Sequence, residues 1–314
     1  MPRLFVVPVL FLLAVLASAA QAEVKLVTSI KPLQLIAAAV QDGAGQPRAL
    51  LPPGASPHHY ALRPSDVRLV READLFYWIG PDLEGFLARV LEGREGPSVA
   101  VQQLPGLTLR HFDDGHAEAH AEHEHEHEEH APVGEHDHAH RPGSLDAHLW
   151  LLPANARVIA RQMAADLTRV DAARAERYRA NLQAFEARLD ALDAELKQRL
   201  TAVSDRPFFV FHETYDYFEQ AYGLEHRGVF SLGEVQPGAR QVAGMRERLQ
   251  AAGPSCVFSE PPLRPRLAET LTRGLPVRLA ELDALGVGVE TDARGYERLL
   301  DNLAAQLAGC LESL

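Results

Sequence analysis

From Asp171 to Val203 the chain carries neither Gly nor Pro, and Tyr178, Leu182, Phe185, Leu189, Leu192, Leu196 and Leu200 recur at steps of four and three. That spacing puts one apolar stripe on an amphipathic helix. At 1.5 Å per residue such a rod is roughly 50 Å long, more than a crossover helix in one small α/β lobe requires. It is therefore expected to join two bodies. A coiled-coil seam is the alternative, but the charges beside the stripe are not ordered for pairing with a second copy.

The amino terminus places the chain outside the cytoplasm. Residues 1–22 open with one basic residue, Arg3, continue through an apolar run from Leu4 to Leu16 and close on Ala20-Gln21-Ala22. These are the parts of a secretory signal, expected to be removed before Glu23 and to leave a periplasmic protein. The apolar run is short for a bilayer span, and no cysteine near Ala22 could take a lipid. The 314 residues suffice for two domains with their own cores. The formal net charge is −12, one unit more negative without Arg3, and no basic groove is present, which argues against nucleic acid as a partner. The two cysteines, Cys256 and Cys310, are expected to pair in an oxidising compartment.

From Glu23 short apolar runs alternate with helical patterns: a strand over 24–29, a helix from Lys31-Pro32 to about Val40, a strand over 48–51, a helix capped by Ser65, a strand over 75–79 and a helix over 83–91. Such alternation builds a parallel sheet covered by helices, with ligands beyond the carboxyl ends of the strands. There lies Pro52-Pro53-Gly54-Ala55-Ser56-Pro57-His58-His59-Tyr60, a stiff loop presenting two imidazoles. A preorganised imidazole loses less entropy when it binds a metal.

Between His116 and His140 the composition changes. Nine histidines (His116, His120, His123, His125, His127, His130, His136, His138 and His140) alternate with eight acids, without Lys, Arg or any large apolar residue. The segment cannot bury a core, and the loop over 111–142 is expected to be disordered. A dense string of imidazoles binds zinc, copper or nickel at modest affinity in interchanging sets. Order resumes at Leu145-Asp146-Ala147-His148-Leu149-Trp150, where a histidine beside Trp is either a satisfied core residue or the edge of a cleft.

Asn155 is expected to cap a helix running to about Thr168, with Asp171 restarting helicity into the rod. After Val203 the alternation resumes, with strands expected over 207–211, 225–229, 256–259 and 277–280 and helices over 239–251, 266–273 and 296–311. His212 ends the first of these strands. His212-Glu213 resembles the opening of a zinc-protease HExxH helix, but position 216 is Asp, which excludes it. Asp283 follows the last strand, where it could be a fourth metal ligand, a partner to an imidazole N–H or a turn-capping carboxylate.

The two halves thus offer His58 and His148 from one side and His212 from the other, with Asp283 in reserve. Three neutral imidazoles and one oxygen donor suit zinc, whereas manganese favours more carboxylates. A three-His zinc site also describes a secreted hydrolase, but no positioned general base or substrate pocket is evident, and the His-rich segment makes sense when the metal is cargo. Gly54-Ala55-Ser56-Pro57-His58-His59-Tyr60 with Leu62-Arg63-Pro64-Ser65-Asp66, His148-Leu149-Trp150, Val210-Phe211-His212, Cys256-Val257-Phe258-Ser259-Glu260-Pro261 and Leu282-Asp283 closely resemble the high-affinity zinc-binding periplasmic proteins of ABC importers.

The resemblance, which runs over almost the whole mature chain, implies a non-enzymatic α/β protein. Two open parallel-sheet lobes would be joined by one long rigid helix, with Zn2+ in the cleft between them, and the metal would be delivered to a membrane permease driven by an ATPase subunit. It carries the ligands over to His58, His148 and His212 and the disulfide to Cys256 and Cys310. Some members place Glu before the first histidine; Pro57 stands there, which leaves the fourth position to water, Asp283 or His59. Manganese or iron binders of this fold, the manganese ones carrying Glu at the place of His212, and a surface adhesin or metal buffer are the neighbouring possibilities. The expected organisation is a lobe over 23–155, linking helices over 156–203 and a lobe over 204–314, in a monomer. The rod should limit metal loading to a small tilt and loop ordering.

Overall fold

The computed structural model describes residues 23–112, 143–231, 239–261 and 266–314. The expected signal (1–22) and the nine histidines of 116–140 lie outside the described residues. The elements in chain order are β1 (Leu26–Thr28), α1 (Lys31–Val40), β2 (Arg48–Ala49), α2 (Pro64–Glu72), β3 (Leu75–Trp78), α3 (Ala88–Glu92), β4 (Ser98–Ala100), β5 (Arg110–His111) and β6 (Leu145–Asp146). There follow α4 (Pro153–Val170), α5 (Ala175–Thr201), β7 (Phe208–His212), α6 (Asp216–Tyr222), β8 (Val229–Ser231), α7 (Ala239–Ala252), β9 (Ser255–Ser259), α8 (Arg266–Thr272), β10 (Val277–Glu281) and α9 (Gly295–Leu311).

Two parallel sheets result, ordered β2-β1-β3-β4 and β10-β9-β7-β8. Strands β1 and β3 are buried along their whole length, which is why they read as continuous apolar runs. In the second sheet the strand period of two is used on both faces. Phe208 and Val210 of β7 and Cys256 and Phe258 of β9 face the main core, while Phe209, Phe211 and Val257 pack with Met245, Leu249 and Leu271 in a smaller core under α7 and α8. Strand β4 and the antiparallel ribbon β5–β6, in which Arg110 faces Asp146 and His111 faces Leu145, were not legible in the sequence. His111 therefore belongs to a strand and Phe112 is buried, inside the stretch expected to be loop.

The rod is α5, 27 residues and roughly 40 Å long. Its stripe buries Tyr178, Phe185, Leu189, Leu196 and Leu200, with Leu182 and Leu192 packed partly buried beside them. It is shorter than the Gly/Pro-free stretch because Asp171 closes α4 and a 3-10 turn over Ala172–Arg174 intervenes. The Asp171 carboxylate accepts hydrogen bonds from Tyr178 (2.8 Å) and Arg174 (2.6 Å), which fixes the corner. Arg157 pairs with Asp190 and Arg161 with Glu186, both at 2.6 Å, so α4 and α5 run antiparallel as a helical hairpin. The expected Asn155 cap is not formed. Leu152 precedes α4, which starts on Pro153, and the Asn155 amide bonds the backbone of Thr108 and Leu149 instead. Likewise Ser65 lies inside α2, where the Asp66 carboxylate accepts the Arg63 N–H at 2.8 Å.

Both lobes are bolted to this hairpin and to each other. Asn181 of α5 donates to the carbonyls of Val40 and Asp42, and Arg188 reaches Glu297 and the Ala293 carbonyl, both at 2.6 Å. The Trp150 indole N–H donates to the Ala284 carbonyl (2.9 Å), and the Tyr296 hydroxyl donates to the Trp150 carbonyl (2.6 Å). A disulfide joins Cys256 of β9 to Cys310 of α9 across a sequence separation of 54. Among the described residues no helix is long and apolar enough to cross a membrane.

Candidate metal centre

Each of the three histidines is held by a different local device. The loop carrying His58 turns at Gly54, whose φ of 79° suits glycine, with the Ala55 N–H on the Pro52 carbonyl at 3.1 Å. Ser56 Oγ then accepts the His58 backbone N–H at 3.2 Å, and Tyr60 anchors the far end on Asp66 at 3.0 Å. His148 lies two residues past the end of β6 and is buried, its ring 5.4 Å from that of Trp150 in an edge-on contact. His212 is the last residue of β7, at the carboxyl edge of the second sheet.

The three rings converge from both lobes. Ring centroids lie 5.5 Å apart for His58 and His148, 5.2 Å for His58 and His212, and 5.1 Å for His148 and His212. One nitrogen from each lies within 4.8 Å of the others, the spacing of donors around a single ion, and among the described residues this is the group of three ligating side chains that does so. Asp283 is not in it. Its carboxylate accepts the backbone N–H groups of Leu285 (3.2 Å) and Val287 (2.7 Å), the turn-capping role among the three considered. Burial raises its pKa, against those N–H groups. His59 is exposed, with its ring centroid 6.5 Å from that of His58, and is likewise outside the group.

Behind the three imidazoles stand carboxylates that the sequence did not single out for this purpose. Asp146 Oδ1 lies 2.8 Å from His148 Nδ1 and accepts the His148 backbone N–H at 3.0 Å. An imidazole whose Nδ1–H is given to a carboxylate presents its lone pair on Nε2, and the charge makes that lone pair more basic. Burial pushes the Asp146 carboxyl well above the usual carboxylate range, and the His148 N–H offsets part of this. Glu260, at the end of β9, lies 3.2 Å from His212 Nδ1, and Thr214 Oγ1 lies 2.7 Å from the same atom. Burial would push Glu260 up, but the charge and hydrogen bond of His212, with the Thr214 and Tyr215 hydroxyls, hold it below its ordinary value. The signal for Asp146 was its place two residues before a candidate ligand, and for Glu260 its place just past a buried strand.

Asp146→Asn keeps the side chain's size and removes its charge. Zinc affinity, measured by competition with a chromogenic chelator, is expected to fall 10- to 100-fold, the range found for outer carboxylates on metal-bound histidines. An unchanged affinity would reduce Asp146 to a packing role.

A second buried pair lies nearby. His226 Nδ1 is 2.9 and 3.0 Å from the two carboxylate oxygens of Glu219. Burial alone would lower the His226 pKa, but the hydrogen bond and charge of Glu219, with Asp216 and Glu213, raise it to about 9 from an ordinary 6.5. The stabilisation is complete below about pH 6.5 and is lost as pH rises through about 9, with an upper bound of roughly 3 kcal/mol. His226→Gln should therefore lower the unfolding free energy clearly at pH 6 and much less at pH 10. Equal losses at the two pH values in urea melts would contradict the pairing.

Two parallel-sheet lobes fixed to a long helix, closing on three imidazoles, define the class of rigid two-lobed metal-binding proteins. Residues 26–310 match the sequence-family model described as zinc-uptake complex component A, periplasmic. The chain is 39% identical over 303 residues to the high-affinity zinc uptake system protein ZnuA of Yersinia pestis, covering 95% of this chain and 92% of that protein. It is 36% identical to the protein of the same name from Brucella abortus strain 2308, with 91% of each covered. A crystal structure of ZnuA superposes with a TM-score of 0.75 at 21% identity, covering 92% of this chain and all of the other. The chain belongs to the ZnuA family of periplasmic zinc-uptake components.

Proposed function

We propose that this chain captures Zn2+ between its lobes on His58, His148 and His212 and hands it to the permease of an ATP-driven importer. The observation that carries the reading is the convergence of three imidazole nitrogens, from both lobes, within 4.8 Å. An all-nitrogen set of three suits zinc better than manganese, and water completes the tetrahedron, because Asp283 is engaged in its own turn. Relatives named as zinc uptake proteins support the same cargo. The metal is substrate here, not a catalyst, so the chain is no enzyme. It works as an exported monomer after removal of residues 1–22, with units over 23–155, 156–203 and 204–314. The histidines of 116–140 collect zinc weakly and pass it to the cleft.

The rigid hairpin limits hinge bending, so loading is read by the transporter as a small tilt with ordering of the loops around the ligands. The test is growth under zinc chelation of a bacterium lacking its own copy of this protein. The wild-type chain should restore growth, while the His58→Ala/His148→Ala/His212→Ala variant, exported to the same level, should not. Full rescue by the triple variant would overturn the proposal.

A further inference from the structure

Next to the three-histidine centre a cavity of about 260 Å³ opens between the β5–β6 ribbon and α6. Five carboxylates, Asp146, Glu213, Asp216, Glu219 and Glu225, line it against three basic side chains, Arg110, His226 and, at the rim, the exposed His111. Arg110 faces Asp216 at 3.7 Å and His226 holds Glu219 at 2.9 Å, which leaves Asp146, Glu213 and the rim residue Glu225 with only the exposed His111 against them. Two of these three are deeply buried. Glu213 is 4% exposed, and its side chain makes no hydrogen bond or ion pair among the described residues. Asp146 is 1% exposed; its Oδ1 serves His148, while its Oδ2 meets no donor. A buried carboxylate oxygen without a donor, as Asp146 Oδ2 is, is costly and calls for a positive partner.

We propose that this cavity is a second cation site, which takes a hydrated divalent cation of the oxygen-preferring class (Mg2+, Ca2+, Mn2+) against Glu213 and Asp146 Oδ2. The two buried groups left over, Glu213 and Asp146, offer oxygen only, while His226 is engaged with Glu219 and His111 lies at the exposed rim, and oxygen ligands suit hard ions. Among the described residues only His58, His148 and His212 bring three ligating atoms within 4.8 Å, so an ion in the cavity keeps much of its water. An ion with about six waters needs roughly 200 Å³ at liquid density, which the cavity provides. One carboxylate thus stands between two ions of different chemistry, with one oxygen on the ligand His148 and the other on the second site.

The test uses the full mature protein, first loaded with one equivalent of Zn2+ and assayed for zinc, so that failure of the three-histidine centre is seen separately. Mn2+ is then titrated in and the unbound ion is followed by its electron paramagnetic resonance signal. Wild type should take up one Mn2+ more than Glu213→Gln, with half-saturation below about 1 mM and at least a tenfold weaker uptake in the variant. Weak binding by the histidines of 116–140 is common to both chains and cancels in the difference. Identical isotherms would overturn the proposal. Should Glu213→Gln not fold, Mn2+ on the wild-type protein still decides, because resonances of Tyr217 and His226 should broaden selectively; no broadening there would overturn it equally.

Discussion

Replacing His212 by Ala is expected to weaken zinc binding on the order of a hundred- to a thousand-fold while leaving the metal-free fold intact. Apparent zinc free energies of roughly 10–16 kcal/mol shared among four ligands give about 2.5–4 kcal/mol for each. His212 ends β7 and is only half-buried, so its loss opens no core cavity. His58→Ala should behave in the same way, because its loop is fixed by Gly54, Ser56 and Tyr60 independently of the ring. His148→Ala should differ. That ring packs on Trp150 and occupies the Asp146 carboxylate, so its removal should also lower the thermal midpoint of the metal-free protein. Calorimetric zinc titration beside thermal melts of the three variants separates the two effects. Three equal affinities, matching wild type, would show that the rings do not share an ion.

The second large effect concerns the C-terminal lobe. Cys256 sits fully buried in the central strand β9 and Cys310 in α9, which also packs on α5 and on α1 of the other lobe. Their bond closes a loop of 54 residues and restricts the unfolded chain by ~4 kcal/mol in the chain-entropy model. The Cys256→Ser/Cys310→Ser protein should melt roughly 10 °C lower than the oxidised wild type in calorimetric scans. Since neither cysteine touches the histidines, one tight zinc per chain should remain. A midpoint within about 2 °C of wild type would mean that the packing of α9 on β9 carries the lobe without the bond.

How much of this was legible in the sequence follows from where the signals reside. Strands β7, β9 and β10 were readable nearly to the residue, β7 and β9 because they are buried and bounded by Pro207, Gly253 and Pro254, whereas the strand expected over 225–229 is β8 at Val229–Ser231. The rod was readable from its stripe, but not its first turn. Asp171 breaks the helix through bonds to Tyr178 and Arg174 that exist only once the corner has formed. Strands of two residues, as in the β5–β6 ribbon, have no periodicity to read, and their pairing spans the unpatterned His-rich stretch. At the site, the histidines were legible because imidazoles in rigid or apolar settings are few. Asp146 and Glu260 were not singled out, because a supporting carboxylate is defined by what it touches, and Glu260 is 48 residues from the ring it meets. Asn155 and Ser65 show the converse. Both are good capping residues by type, yet one is drawn to Thr108 and the other is displaced by Asp66.

X-ray absorption at the zinc edge, on the mature protein carrying one equivalent of Zn2+, tests the central claim most directly. Three nitrogen neighbours at about 2.0–2.1 Å with imidazole scattering and one oxygen are expected. That pattern should be lost or replaced in His58→Ala/His148→Ala/His212→Ala. An unaltered spectrum in the triple variant would place the tightly held ion elsewhere in the molecule and contradict capture between the lobes.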